Sequence, residues 1–255
     1  MGVSRIFIEL SFDGRAFHGW QRQPGARTVQ EELERALGVC ARAGAPVPVV
    51  GCGRTDAGVH ASYFVAHADA DLAALSEPLL ARLNGLLPPD VAVSGVHAVG
   101  DRAHARFSAV ERTYRYYLHA YKDPFLTGRS TRLYKEPDSD AIRRAAQLLV
   151  RKGDFGAFCR TGGNSSTTLC DVRRAVWNEV GPGKWEFEIA ADRFLRNMVR
   201  AVVGTLLEVG QGRRSVDEFA AVLASGDRRQ AGKSAASDGL YLADVVYPEA
   251  VFSRP

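Results

Sequence analysis

The sequence predicts an α+β protein with a largely antiparallel sheet. Segments of strand pattern outnumber the amphipathic helical segments, several strands follow one another directly, and the order of elements repeats once in outline. The repeat is of element order, with no sequence identity between the copies. It divides the chain into two α+β halves, residues 1–105 and 106–255, meeting near residues 100 to 110.

In the first half, "RIFIELSFDG" alternates Ile6, Ile8 and Leu10 with Arg5, Phe7, Glu9 and Ser11, a strand ending at the Asp13-Gly14 turn. "TVQEELERALGVCARAG" is a helix: Thr28 is the expected N-cap with Glu31 three residues on, Val29, Leu33, Ala36, Leu37 and Cys40 recur at helical spacing, and Gly44 ends it. "VPVVGC" and "GVHASYFVAHA" are strands flanking "GCGRTDAGVH". "LAALSEPLLARLNGLL" is helical, with Pro78 at its start. "DVAVSGVHAV" is a further strand.

In the second half, aromatic and β-branched content makes "ERTYRYYLHAY" a strand. "DSDAIRRAAQLLVRKG" is a helix capped near Ser139 or Asp140. "VRRAVWNEV" and "KWEFEIAA" form a hairpin across Gly181-Pro182-Gly183. "RFLRNMVRAVVGTLLEVG" is a long helix, "VDEFAAVLASG" a shorter one, and "GLYLADVVYP" a last strand stopped by Pro248. "RTGGNSSTT" (160 to 168) is expected to be a mobile loop.

Composition bounds the function loosely. With 46% hydrophobic and 24% charged residues, the 255-residue chain has material for a sizeable core. A net charge of +4 permits an acidic partner without requiring one. The four cysteines, Cys40, Cys52, Cys159 and Cys170, form no CxxC pair, which argues against zinc and fits a reducing, cytoplasmic compartment. No apolar run approaches the ~18 residues of a membrane span, and the N-terminal apolar run is too short for a signal peptide.

Four constellations invite a chemical reading. In "GCGRTDAGVH", three glycines permit unusual backbone angles and close approach, and Arg54 and Asp56 are the charges displayed. The plain alternative is a tight turn with Asp56 capping neighbouring amides and His60 packed in a strand. In "ERTYRYYLH", Arg112, Tyr114, Tyr116 and Leu118 share one face, and Thr113, Arg115 and Tyr117 the other. Interleaved Arg and Tyr suit phosphates and stacked bases, at ~1–3 kcal/mol per stacked base; alternatively the tyrosines fill core. In "RFLRNMVRAVVG", Leu195, Val199, Val202 and Leu206 form a core stripe. Arg193, Arg196 or Asn197, Arg200 and Gly204 form another, and a mid-helix Gly costs ~1 kcal/mol unless its small size is needed. "GDRRQAGKS" imitates a phosphate-binding loop, but Asp227 stands where the first Gly is required and a helix precedes it, so nucleotide hydrolysis is rejected.

Together these segments resemble the tRNA pseudouridine synthase A family. "GRTDAGVHA" is highly specific to it. "SFDGRAFHGWQRQP", "RTYRY", "FLRNMVRAVVGTLLEVG" and "AGKSAASDGLYLADVVYP" match in the same order, over nearly the whole chain. The resemblance implies a pseudouridine synthase fold, with two similar α/β halves, a largely antiparallel central sheet and a cleft between them. It also implies isomerisation of uridine to pseudouridine at positions 38 to 40 of the tRNA anticodon arm, with no metal, nucleotide or other cofactor, by a homodimer. By resemblance Asp56 and Arg200 are catalytic, Tyr114 and Arg54 bind substrate, and Arg200 is the expected counter-charge of Asp56. Whether Asp56 attacks ribose, attacks uracil C6 or removes a ribose proton stays open. A glycoside hydrolase would want a second carboxylic acid near the bond, whereas the motif offers one. An RNA-binding protein without catalysis and a base-releasing hydrolase are the competing functions.

Overall fold

A computed structural model describes residues 3–71, 79–160, 162 and 167–252. Pro78 and most of the expected loop at 160 to 168 lie outside the described residues. By contacts the chain forms two compact units, one of residues 1–110 with 242–255 and one of residues 111–241. The sequence boundary at 105 falls five residues short of this division, and the closing segment packs with the first unit, not the second.

The first unit is built on β1 (Val3–Phe12), which lies between β3 (His60–Asp71) and β4 (Val91–Ala98), antiparallel to both. The short β2 (Val50–Gly51) pairs with β3. Ile6, Ile8 and Leu10 are buried as the alternation predicts, but so is Phe7. Its ring lies 5.1 Å from that of Tyr247, in the closing segment, so a second layer covers the face that alternation assigned to water. Helix α1 (Val29–Cys40) buries Val29, Leu33, Ala36 and Leu37, each buried Leu contributing ~1.5–3 kcal/mol. Thr28 stands at the N-cap, yet its hydroxyl makes no cap bond, and the helix ends at Cys40, before Gly44 is reached. Helix α2 spans Leu79–Leu86.

The second unit has an antiparallel sheet in the order β5 (Glu111–His119), β9 (Lys184–Ala191), β8 (Leu169–Gly181), β7 (Arg151–Asp154). The two-residue β6 (Thr131–Arg132) runs parallel to β5. The hairpin of β8 and β9 turns through Pro182-Gly183, with Gly181 opposite Lys184 as expected. Helix α3 (Ser139–Gln147) is capped by Asp138, whose carboxylate accepts from Ala141 N, one residue before the expected cap. Helix α5 (Val216–Ser225) opens on a complete Ser215–Glu218 capping box.

Helix α4 (Met198–Gly210) is shorter than the pattern suggested. Asn197 sits at φ 62°, in the left-handed region, and stops the helix there. Arg193 and Arg196 therefore belong to the approach and not to a helical stripe; of the predicted row only Arg200 and Gly204 lie on the helix. The last strand, β10 (Leu240–Val246), runs beside β3.

Candidate active site

Asp56 lies half-buried in the loop between β2 and β3, and Arg54 is exposed on the same loop. The turn at Asp56 is closed by its main-chain carbonyl, which accepts from Val59 N at 3.2 Å. The loop is braced by residues 13–20. Trp20 N donates to Thr55 O at 3.3 Å, and Gly58 N to Phe17 O at 3.2 Å. Gly14 is why the two segments can touch: a Cβ there would lie 2.0 Å from Val59 O.

His60, left as a packed strand residue by the sequence, has a definable part in this brace. It is 1% exposed, and its Nδ1 lies 3.2 Å from the Gly14 amide nitrogen, which donates to it. Asp13 Oδ1 is 3.3 Å from the same nitrogen. Burial acts to raise the Asp13 carboxyl, but bonds from the Arg15 side chain and amide, with His60 beside it, hold it below the usual carboxylate range. His60→Asn keeps an acceptor near the Nδ1 position; His60→Phe leaves a buried N–H unpaired, at ~1–3 kcal/mol. The expected result is a turnover loss of roughly 10- to 100-fold for His60→Phe with RNA binding retained, and for His60→Asn a loss under about threefold. Equal turnover for the two variants would separate His60 from the geometry of the Asp56 loop.

In the second unit Tyr114 and Tyr116 prove different. Tyr116 is core: its OH donates to Ala236 O at 2.9 Å, is 2.6 Å from Thr131 Oγ1, and burial pushes its phenol up. Tyr114 is half-buried, held edge-on by Phe194 with ring centroids 5.0 Å apart. Arg115, on the other face of β5, is committed within the sheet at 2.9 Å from Glu188. Burial alone would raise the Glu188 carboxyl, yet Arg174 and Arg115 keep it below the usual range.

Arg200 is fixed by a reciprocal pair of bonds. Its Nε donates to Ala235 O at 2.8 Å, and Ala235 N donates to Arg200 O at 2.9 Å. The same segment explains Gly204, since a Cβ there would lie 1.9 Å from Lys233 O. Asn197 Nδ2 donates to Ser234 Oγ at 2.6 Å and Gly232 N to Thr205 Oγ1 at 3.0 Å. "AGKSAAS", the imitation of a phosphate loop, is thus a strap along α4.

A family model described as "tRNA pseudouridine synthase" matches residues 145–248. Over 253 residues the chain is 46% identical to tRNA pseudouridine synthase A of Porphyromonas gingivalis, covering 98% of this chain and 100% of the relative. This chain belongs to the tRNA pseudouridine synthase A family. It is also 40% identical to the Bacillus subtilis relative over 246 residues, covering 95% of this chain and 99% of that one.

The antiparallel α+β architecture accords with membership in this synthase family. The structure places Asp56 and Arg54 in the first unit, and Tyr114 and Arg200 in the second. A cavity of about 500 Å³ lies elsewhere, lined by Asp138, Arg144, Arg213, Arg214 and Glu218 among others, and by none of these four. Among the described residues no group of three or more His, Cys, Asp or Glu is placed to hold a metal ion, and no helix is long and apolar enough to cross a membrane. Sequence reasoning missed the bracing Gly14, the Phe194 support of Tyr114 and the Ala235 anchor of Arg200. Only the matched motifs "SFDGRAFHGW", "FLRNMVRAVVGTLLEVG" and "AGKSAASDG" pointed to the segments concerned.

Proposed function

We propose that this protein isomerises uridine to pseudouridine in tRNA, at positions 38 to 40 of the anticodon arm, with Asp56 as the reacting carboxylate. The observation that carries the reading is the braced Asp56 loop in a chain of this family: backbone bonds from residues 13–20 hold it, and Gly14 lets the two segments touch. Rigid presentation of one acid is what a reaction with a single displaced nucleotide requires.

The chemistry is an internal exchange. The N1–C1′ bond breaks, the uracil turns, C5 bonds to C1′, the C5 proton leaves and N1 gains a proton. Asp56 serves as nucleophile or base. We assign Arg200 and Tyr114 to the same reaction, Arg200 for its anchored guanidinium and Tyr114 as a ring for the base. Arg54 holds the unstacked nucleotide, a displacement costing a few kcal/mol. We take the working form to be a cytoplasmic homodimer that needs no cofactor.

Incubation with anticodon-arm RNA tritiated at uridine C5 tests this. Tritium should pass to water with no free uracil. Free uracil would make the protein a hydrolase, and tight binding without release would make it a binding protein.

A further inference from the structure

The end of the second unit's sheet carries a feature that the reacting residues do not use. His119, the last residue of β5, pairs with Lys184 on one side and Arg132 on the other. Side chains paired across neighbouring strands share a face, so the two cations flank His119 roughly 10 Å apart, two strand spacings. His119 itself is buried, with Nδ1 2.9 Å from Ser130 Oγ. Burial first, then Arg132 and Lys184, keep its imidazole below the ordinary range, while Asp123 opposes them.

From here the chain runs out through a tightly bonded loop. Asp123 Oδ1 accepts from Phe125 N at 2.9 Å. Leu126 O accepts from Arg129 N and Ser130 N, and the Tyr241 hydroxyl donates to Arg129 O at 3.0 Å. Despite this fixed backbone, Phe125 is 83% and Tyr134 92% exposed. The Arg132 guanidinium lies 5.5 Å from the Tyr134 ring and Lys184 Nζ 5.5 Å from the Tyr121 ring. Lys122, Arg129, Arg132 and Lys135 are all exposed, against Asp123 and Glu136.

Rigid aromatic rings held in water among cations match the chemistry of single-stranded nucleic acid: rings stack bases and cations take phosphates. A second copy of this chain fits less well. A twofold contact sets the same patch against itself, and like charges brought together across an interface cost several kcal/mol. We propose that the Tyr121–Lys135 loop with Lys184 is a second RNA-contact surface, taking phosphates on Arg132 and Lys184 and stacking an unpaired base of the substrate on Tyr134 or Phe125. This deepens the tRNA reading and rests on it, but it uses none of the residues assigned to the reaction.

The test is equilibrium binding of unmodified tRNA between 50 and 200 mM salt, a range over which phosphate contacts weaken markedly, with solution mass measured in parallel. The variants are Arg132→Gln/Lys184→Gln, Tyr134→Ala/Phe125→Ala and Tyr134→Phe. All these side chains are exposed or half-exposed, so folding is spared. The charge variant should lower the slope of log affinity against log salt by about 1.4 to 1.8, for two lost phosphate contacts. The alanine variant should weaken binding about fivefold or more, with KM rising alike; Tyr134→Phe should bind as the parent does. Unchanged affinity and slope in the first two variants would overturn the proposal. So would a shift from dimer to monomer on their substitution, which would assign the patch to a second copy. Because binding is read directly, these outcomes stand apart from whether Asp56 performs the reaction.

Discussion

Asp56→Asn is expected to stop isomerisation while leaving tRNA binding within about threefold of the parent. Removing a positioned nucleophile or base costs roughly 10³-fold or more in turnover, about 4 kcal/mol at 1.36 kcal/mol per tenfold. The amide is close in shape to the carboxylate, and the turn around residue 56 is closed by the main-chain carbonyl accepting from Val59 N. The loop should therefore survive the substitution. Tritium release from C5-labelled anticodon-arm RNA reads the chemistry, and equilibrium binding reads the rest. A variant that folds, binds and still releases label at the parental rate would remove Asp56 from the mechanism.

Gly204→Ala is the second large effect, and its sign runs against the usual rule. In an ordinary helix interior Ala is favoured over Gly by ~1 kcal/mol. Here the new Cβ would lie 1.9 Å from Lys233 O and 3.1 Å from Ala235 N, both main-chain atoms. Main chain cannot swing aside as a flexible side-chain end can, so α4 or the strap must move. Overpacking of this kind costs ~1–3 kcal/mol, which outweighs the helix preference. We expect a melting temperature lower by ~2–6 °C. Because Ala235 O holds Arg200 Nε, we also expect turnover to fall by roughly 10- to 100-fold, as for a misplaced active group. A variant that melts higher than the parent at full turnover would show that the strap gives way freely and that Arg200 does not depend on it.

What the sequence disclosed and what it withheld divide along physical lines. Helix α1 and the β8–β9 hairpin were legible because their signals are local: a 3.6-residue apolar stripe, and a Pro-Gly pair between two alternating runs. Helix α4 was overextended because its apolar stripe begins upstream of Asn197, whose positive φ no periodicity reveals. Strand β7 was missed because Arg151–Asp154 has no alternation of its own and gains its hydrogen bonds from β8, from about 15 to 20 residues away in sequence. In the candidate site, the break at "GCGRTDAGVH" was visible as an interrupted strand pattern. The bond from Gly14 to His60 joins positions 46 apart and becomes visible only when β1 and β3 lie side by side. The requirement for a small residue at 204 was raised by the sequence; the strap that imposes it comes from residues 233–235.

The return of residues 242–255 to the first unit bears on how the molecule is made. Residues 111–241 form one uninterrupted stretch. The earlier-synthesised unit cannot be completed until Leu240–Val246 arrives beside β3 and Tyr247 covers Phe7. The part bearing Asp56 thus comes first in the sequence, yet it is completed only by a segment that follows the whole of the second unit.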